Sequence, residues 1–187
     1  LINFTGSKAV PVAIKEKNSF SFNADDILEK VTPKTRLIII NSPANPTGGV
    51  TSKTELDKFV KEIVKHPSIA VLSDEIYDKI IYSGEQHVSF PQLSQDAKER
   101  TILVNGVSKT YSMTGWRIGY AAGNSSVISA MNNLSGQSTS NPTSISQKAA
   151  IEAFSGNQDK VGEMLVEFGT RKDYISSFLN NIIYPIV

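Results

Sequence analysis

Leu37-Ile38-Ile39-Ile40-Asn41, the loop Ser42-Pro43-Ala44-Asn45-Pro46-Thr47-Gly48-Gly49, the segment from Ser52 to Val64, and Ile69-Ala70-Val71-Leu72-Ser73-Asp74 together decide the architecture. Leu37 to Ile40 and Ile69 to Leu72 are short apolar runs that end in polar residues, the pattern of strands buried on both faces. Between them, Ser52 and Glu55 form a capping-box pair, and Leu56, Phe59, Val60, Ile63 and Val64 fall on one stripe before Pro67. That is a strong helix. Strand, helix and strand over this distance make a βαβ unit with parallel pairing, normally right-handed.

Outward from this unit, Thr101 to Val104 and Ile118 to Ala122 read as two further strands, and the later part as helix. Val127 to Met131 starts one weaker segment and Ile145 to Phe154 another. From Val161 a stripe runs through Met164, Leu165 and Phe168, then resumes at Ile175, Phe178 and Leu179 after a polar break at Thr170 to Asp173. Such stripes are assigned to the core. The expected fold class is α/β, a mainly parallel sheet flanked by helices in three layers, with ligand groups gathered past the carboxyl ends of the strands.

At 187 residues the chain suits one domain with a sizeable core. Its hydrophobic content of 40% and charged content of 20% are those of a globular protein. A net charge of +1 with scattered Lys and Arg points to neither nucleic acid nor an anionic membrane. Absence of cysteine excludes disulfides, thiolate metal sites and cysteine nucleophiles, and His66 and His87 are too few for a metal cluster. No apolar run approaches the roughly 20 residues of a membrane helix, so a cytoplasmic setting is expected. No Gly-x-Gly-x-x-Gly follows a strand, which sets a dinucleotide fold aside. Leu1-Ile2-Asn3-Phe4 and Tyr184-Pro185-Ile186-Val187 read as cuts through folded sequence.

Three strand ends carry chemistry. In the loop after Leu37 to Ile40, two prolines and two glycines make a rigid turn able to aim the Asn45 amide, or to do no more than lead into the helix. Asp74 follows a buried strand and needs a cation, a helix to cap or a metal, with Tyr77 close behind it. Lys109 leaves the third strand through Val104-Asn105-Gly106-Val107-Ser108, either as a Schiff-base-forming amine or as a solvated surface charge. Arg117, entering the fourth strand, suits a phosphate or a structural ion pair.

The phrases Asn41 to Gly48, Ser73-Asp74-Glu75-Ile76-Tyr77, and Ser108-Lys109 with Gly115-Trp116-Arg117-Ile118-Gly119-Tyr120 resemble those of fold type I pyridoxal-phosphate (PLP) enzymes. The likeness is to class I/II aminotransferases of the aspartate-aminotransferase-like branch, and it extends across essentially the whole chain. It implies that residues 1–187 are part of the PLP-binding large domain, with an N-terminal segment and a C-terminal small domain missing. It also implies amino transfer between an L-amino acid and a 2-oxo acid, and a homodimer. Lys109 would hold the cofactor as a Schiff base and shuttle the substrate proton. Asp74 would pair with the ring nitrogen, Asn45 and Tyr77 with the ring oxygen, and Arg117 with the phosphate, Ser108 lying nearby.

A lyase or decarboxylase of the same fold, or a PLP-sensing regulator domain, would share this set. The sequence also departs from the family. Many relatives carry a serine where Gly106 stands, which leaves one phosphate contact open. Some dicarboxylate-specific relatives have an arginine where Gly136 stands, and Ser140-Asn141-Pro142 resembles a segment that reaches the neighbouring subunit's site. The family's phosphate loop, ring-stacking aromatic and carboxylate-binding arginine fall outside the chain, so a polypeptide of this length is not expected to turn over substrate.

Overall fold

A computed structural model describes residues 2–82, 84 and 86–182; of the two ends read as cuts, Leu1 and Tyr184 to Val187 lie outside them. In chain order the helices and strands are α1 (Ala24–Leu28), β1 (Leu37–Asn41), α2 (Lys53–Ile63), β2 (Ala70–Asp74), α3 (Gln95–Arg100), β3 (Thr101–Gly106), β4 (Gly119–Ala122), α4 (Ser125–Ser138), α5 (Ser144–Ser155) and α6 (Asp159–Asn180). The strands form one sheet in the order β1-β2-β3-β4. The first two pairings are parallel, and β3 pairs with β4 antiparallel. The expected βαβ unit is therefore present, and the sheet is mainly parallel.

Side-chain caps start α1 to α5. Asn23 Oδ1 accepts the Asp25 and Asp26 amides at 2.9 and 3.2 Å, and Ser52 Oγ accepts the Glu55 amide at 3.3 Å. The capping box expected at Ser52 is only half closed. The Glu55 carboxylate turns instead to α1, where Oε2 accepts the Ala24 amide at 2.9 Å. The core lies between the sheet and α1 to α3: Ile40 and Val71 from the strands meet Ile27, Leu56, Phe59, Ile63, Phe90 and Ala97. The Phe59 ring centroid sits 5.9 Å from Phe22 and 5.8 Å from Phe90.

Two expectations about burial fail. The β1 strand is not covered on both faces: Ile38 and Ile40 point into the core, while Leu37 and Ile39 face away and Ile39 is 51% exposed. The later helical stripes are not core either. No described residue of α4 or α6 is buried, Leu134 is 72% exposed and Phe178 60%, and only Ala150 of α5 is buried. The physical reason is the same in both cases, because α1 to α3 cover a single face of the sheet. The α6 helix also runs unbroken through Thr170 to Asp173, with Thr170 Oγ1 bonded to Val166 O at 3.1 Å and Arg171 paired to Glu167 at 2.7 Å. It meets the rest of the chain through Ser112 Oγ, which donates to Met164 Sδ at 3.4 Å, and through Lys172 Nζ, 5.6 Å from the Tyr82 ring.

Candidate active site

Parallel pairing sets the carboxyl ends of β1, β2 and β3 side by side, with Asn41 opposite Asp74 and Asp74 opposite Val104. The antiparallel β4 begins at the same end, since Gly119 pairs with Gly106. Four segments thus converge on one rim: residues 42–50, 75–80, 107–113 and 114–118.

The first segment is a tight loop. Ala44 N donates to Gly49 O at 2.9 Å, Gly48 N to Ala44 O at 2.8 Å, and Thr51 N to Ser42 Oγ at 2.9 Å. Any side chain at Gly49 would run into the Phe20 backbone, so the loop packs too closely there for another residue. The loop presents Asn45, whose Nδ2 donates to Tyr77 Oη at 3.1 Å. Lys109 Nζ stands 5.6 Å from the centroid of the same Tyr77 ring. Asn45, Tyr77 and Lys109 therefore form one contiguous cluster, and Asp74 lies half-buried on the strand that leads into Tyr77. One Asp74 carboxylate oxygen accepts the Ile76 amide at 3.2 Å.

Ser108 is half-buried beside Lys109. Arg117 is exposed and in the left-handed region, φ 55°, with Nη1 donating to Thr114 O at 3.1 Å. Among the described residues none of Lys109, Asp74 and Arg117 takes part in an ion pair, so the structural pairing weighed for Arg117 does not hold. Nor do the described residues contain a group of three or more potential metal ligands. An amine, a carboxylate and a guanidinium without charge partners, next to an amide–phenol pair, suit a ligand that brings its own charges. A phosphorylated pyridine aldehyde matches that donor set.

Gly106 is dictated by packing. A Cβ there would lie 2.7 Å from Ile118 O and 2.9 Å from Gly119 Cα, so the close β3–β4 crossing leaves no room for a serine. Ser140 to Pro142 are exposed, Ser140 with φ 59°.

Two residues beside the cluster were not assigned a role from sequence. Asn41 bridges the first two segments: its Nδ2 donates to Asp74 O at 3.1 Å and its Oδ1 accepts Asn45 N at 3.0 Å. Glu75 is 3% exposed and accepts from Ser73 Oγ and Phe90 N, each at 2.9 Å, with His87 Nε2 2.8 Å away. Burial pushes its carboxyl up, but the hydrogen bonds from His87, the Phe90 amide and Ser89 outweigh that and hold it below the usual glutamate range. Neither signal was visible in sequence, since both side chains act on backbone groups or partners brought close only by the fold. Thr110 Oγ1 donates to Asp78 Oδ1 at 3.3 Å and ties the lysine turn to the tyrosine turn.

A family profile described as aminotransferase class I and II matches residues 1–186. An aspartate aminotransferase of Bacillus sp. (strain YM-2) is 45% identical over 181 residues, 97% of this chain and 46% of that protein. A probable aspartate/prephenate aminotransferase of Rickettsia typhi is 44% identical over 168 residues, 90% of this chain and 42% of its own length. Among solved structures, an aspartate aminotransferase from Rhizobium meliloti superposes with TM-score 0.93 at 39% identity, covering 97% of this chain and 45% of that one. The chain spans about half the length of the curated relatives it matches.

Proposed function

The chain belongs to the class I and II aminotransferases, and on that premise we propose that it forms the cofactor-holding part of an enzyme moving an amino group between an L-amino acid and a 2-oxo acid. The observation that carries this reading is the Lys109 amine, without a carboxylate partner among the described residues, facing the Tyr77 ring that Asn45 holds by its hydroxyl. The family is PLP-dependent. When bound, PLP supplies an aldehyde that condenses with amines and a protonated ring that takes up the electron pair left at the substrate Cα.

The residues divide that work. Lys109 Nζ would hold the cofactor covalently and would carry the proton at the substrate Cα. Asp74 would keep the ring nitrogen protonated by its negative charge. Asn45 Nδ2 and the Tyr77 hydroxyl would donate to the ring oxygen, and Arg117 would offer its fork to the phosphate together with the Ser108 hydroxyl. The named relatives are aspartate and aspartate/prephenate aminotransferases, so aspartate is the first donor to assay, even though Gly136 stands where some dicarboxylate-specific relatives place an arginine.

The share of its relatives that the chain covers supports reading residues 1–187 as part of a large domain, with further sequence completing the enzyme. The uncovered apolar faces of α4 and α6 fit a homodimer. A cytoplasmic setting, expected from the sequence, stays part of the proposal.

The test is chemical. The protein, expressed with its full natural sequence, is loaded with PLP, reduced with borohydride and mapped by mass spectrometry. The pyridoxyl group is expected on Lys109 and absent from Lys109→Ala. A label on another lysine, or retained in the variant, refutes the assignment. Amino transfer from aspartate to a 2-oxo acid then separates a transaminase from a lyase, which releases product without aminating a second substrate.

A further inference from the structure

Asn41 is not among the proposed cofactor contacts, yet it holds two residues that are. It closes β1 opposite Asp74 in register. Its amide is used at both ends: Nδ2 donates to the Asp74 carbonyl at 3.1 Å, and Oδ1 accepts the Asn45 backbone N–H at 3.0 Å. The Asp74 carbonyl takes a second bond from Ser42 N at 3.3 Å. The loop's other bonds, Ala44 to Gly49, Gly48 to Ala44 and Thr51 to Ser42, tie it only to itself and its own base. A loop can be rigid and still be misplaced. Its placement against β2 rests on Asn41, the Ser42 amide and the Asn45–Tyr77 bond.

We propose that Asn41 is a positioning residue of the cofactor site, fixing the Asn45 amide against Asp74 and, through the Asn45–Tyr77 bond, against the Tyr77 hydroxyl. The inference rests on the reading that this site binds PLP. Asparagine suits the task because one planar group offers a donor and an acceptor pointing apart. Leucine has a similar size and offers neither. The buried Glu75 also lies nearby, but its bonds run to Ser73, Phe90 and His87 and reach none of the proposed cofactor residues.

The experiment is a double-mutant cycle in the protein with its full natural sequence, using Asn41→Leu, Asn45→Ala and the pair. Three quantities are read: PLP affinity, the pH midpoint of the absorbance change of the bound cofactor, and exchange of the Asn45 N–H in cofactor-free protein. Donors to the ring oxygen favour its negative form, so misplacing them raises the midpoint. Asn41→Leu is expected to raise it, to weaken PLP binding about tenfold, as loss of one well-placed hydrogen bond does, and to speed exchange at Asn45. The double variant is expected to go no further than Asn45→Ala alone, because Asn41 acts through Asn45.

Additive midpoint shifts overturn the proposal, as does a loss of thermal stability with affinity and midpoint unchanged. If the unaltered protein takes up no PLP, the functional reading fails on its own account. The exchange measurement then decides the matter: faster exchange at Asn45 supports the tie, and unchanged exchange overturns it.

Discussion

Glu75 follows Asp74 directly and, by strand alternation, serves the opposite face of the sheet. Among the described residues Asp74 takes part in no ion pair at the rim, while Glu75 holds the segment of His87 to Phe90 against the core. Its carboxyl is held below the ordinary glutamate value of 4.5, so it ionises more readily in the folded chain than in the unfolded one. Its contribution to stability is therefore complete above that value and fades as pH falls through the lower folded one. Glu75→Gln is expected to cost about 1–3 kcal/mol at neutral pH, the range for breaking a buried hydrogen-bonded group, and to flatten the acid limb of the stability curve, read from urea midpoints across pH. An acid limb as steep as the parent's would show that other carboxylates set it. At this scale the gathering of Asn45, Asp74, Tyr77 and Lys109 at one rim of the sheet was legible, because all four lie at or just past the carboxyl ends of strands; their roles belong to the proposal. Asn41 and Glu75 were not legible, because what they hold becomes visible only when residues 33 and 12 positions away close on them.

Among the elements, the β3–β4 crossing is the most constrained contact. Gly106→Ala places a methyl against Ile118 O and Gly119 Cα, and the strands must part or bend. A loss of about 1–3 kcal/mol is expected from such overpacking, measured by urea unfolding; a neutral substitution would show that β4 gives way without cost. The four strands were readable because an apolar run with an abrupt polar end, too short for a helix, fits little besides a strand. The short helices α1 and α3 were not assigned, at five and six residues, too brief to show a period. Their caps did leave a trace: Asn23 precedes Asp25 and Asp26, and Ser94 precedes Asp96. The polar break read at Thr170 to Asp173 interrupts the apolar stripe of α6 but not the helix. Polar residues interrupt an apolar stripe without ending a helix, because their side chains bond within it.

For the whole molecule the dominant fact is one-sidedness. One face of the sheet is packed under α1 to α3, Ile39 on the other is exposed, and α4 and α6 show Leu134, Val166 and Phe178 to solvent. Exposed apolar area of this kind is uncommon on a monomer and drives association. The 187-residue chain alone is expected to bind a hydrophobic dye and to scatter light, and Leu134→Glu with Phe178→Glu to reduce both without changing circular dichroism. Unchanged scattering would place the sticky surface elsewhere. The bond from Ala24 N to the Glu55 carboxylate, reinforced by Lys58 on Asp25, has a further consequence for synthesis. Five residues cannot sustain a helix by themselves. In the nascent chain, residues 24–28 therefore settle as α1 only after residue 58 has left the exit tunnel, and a stall before that point leaves α1 unformed.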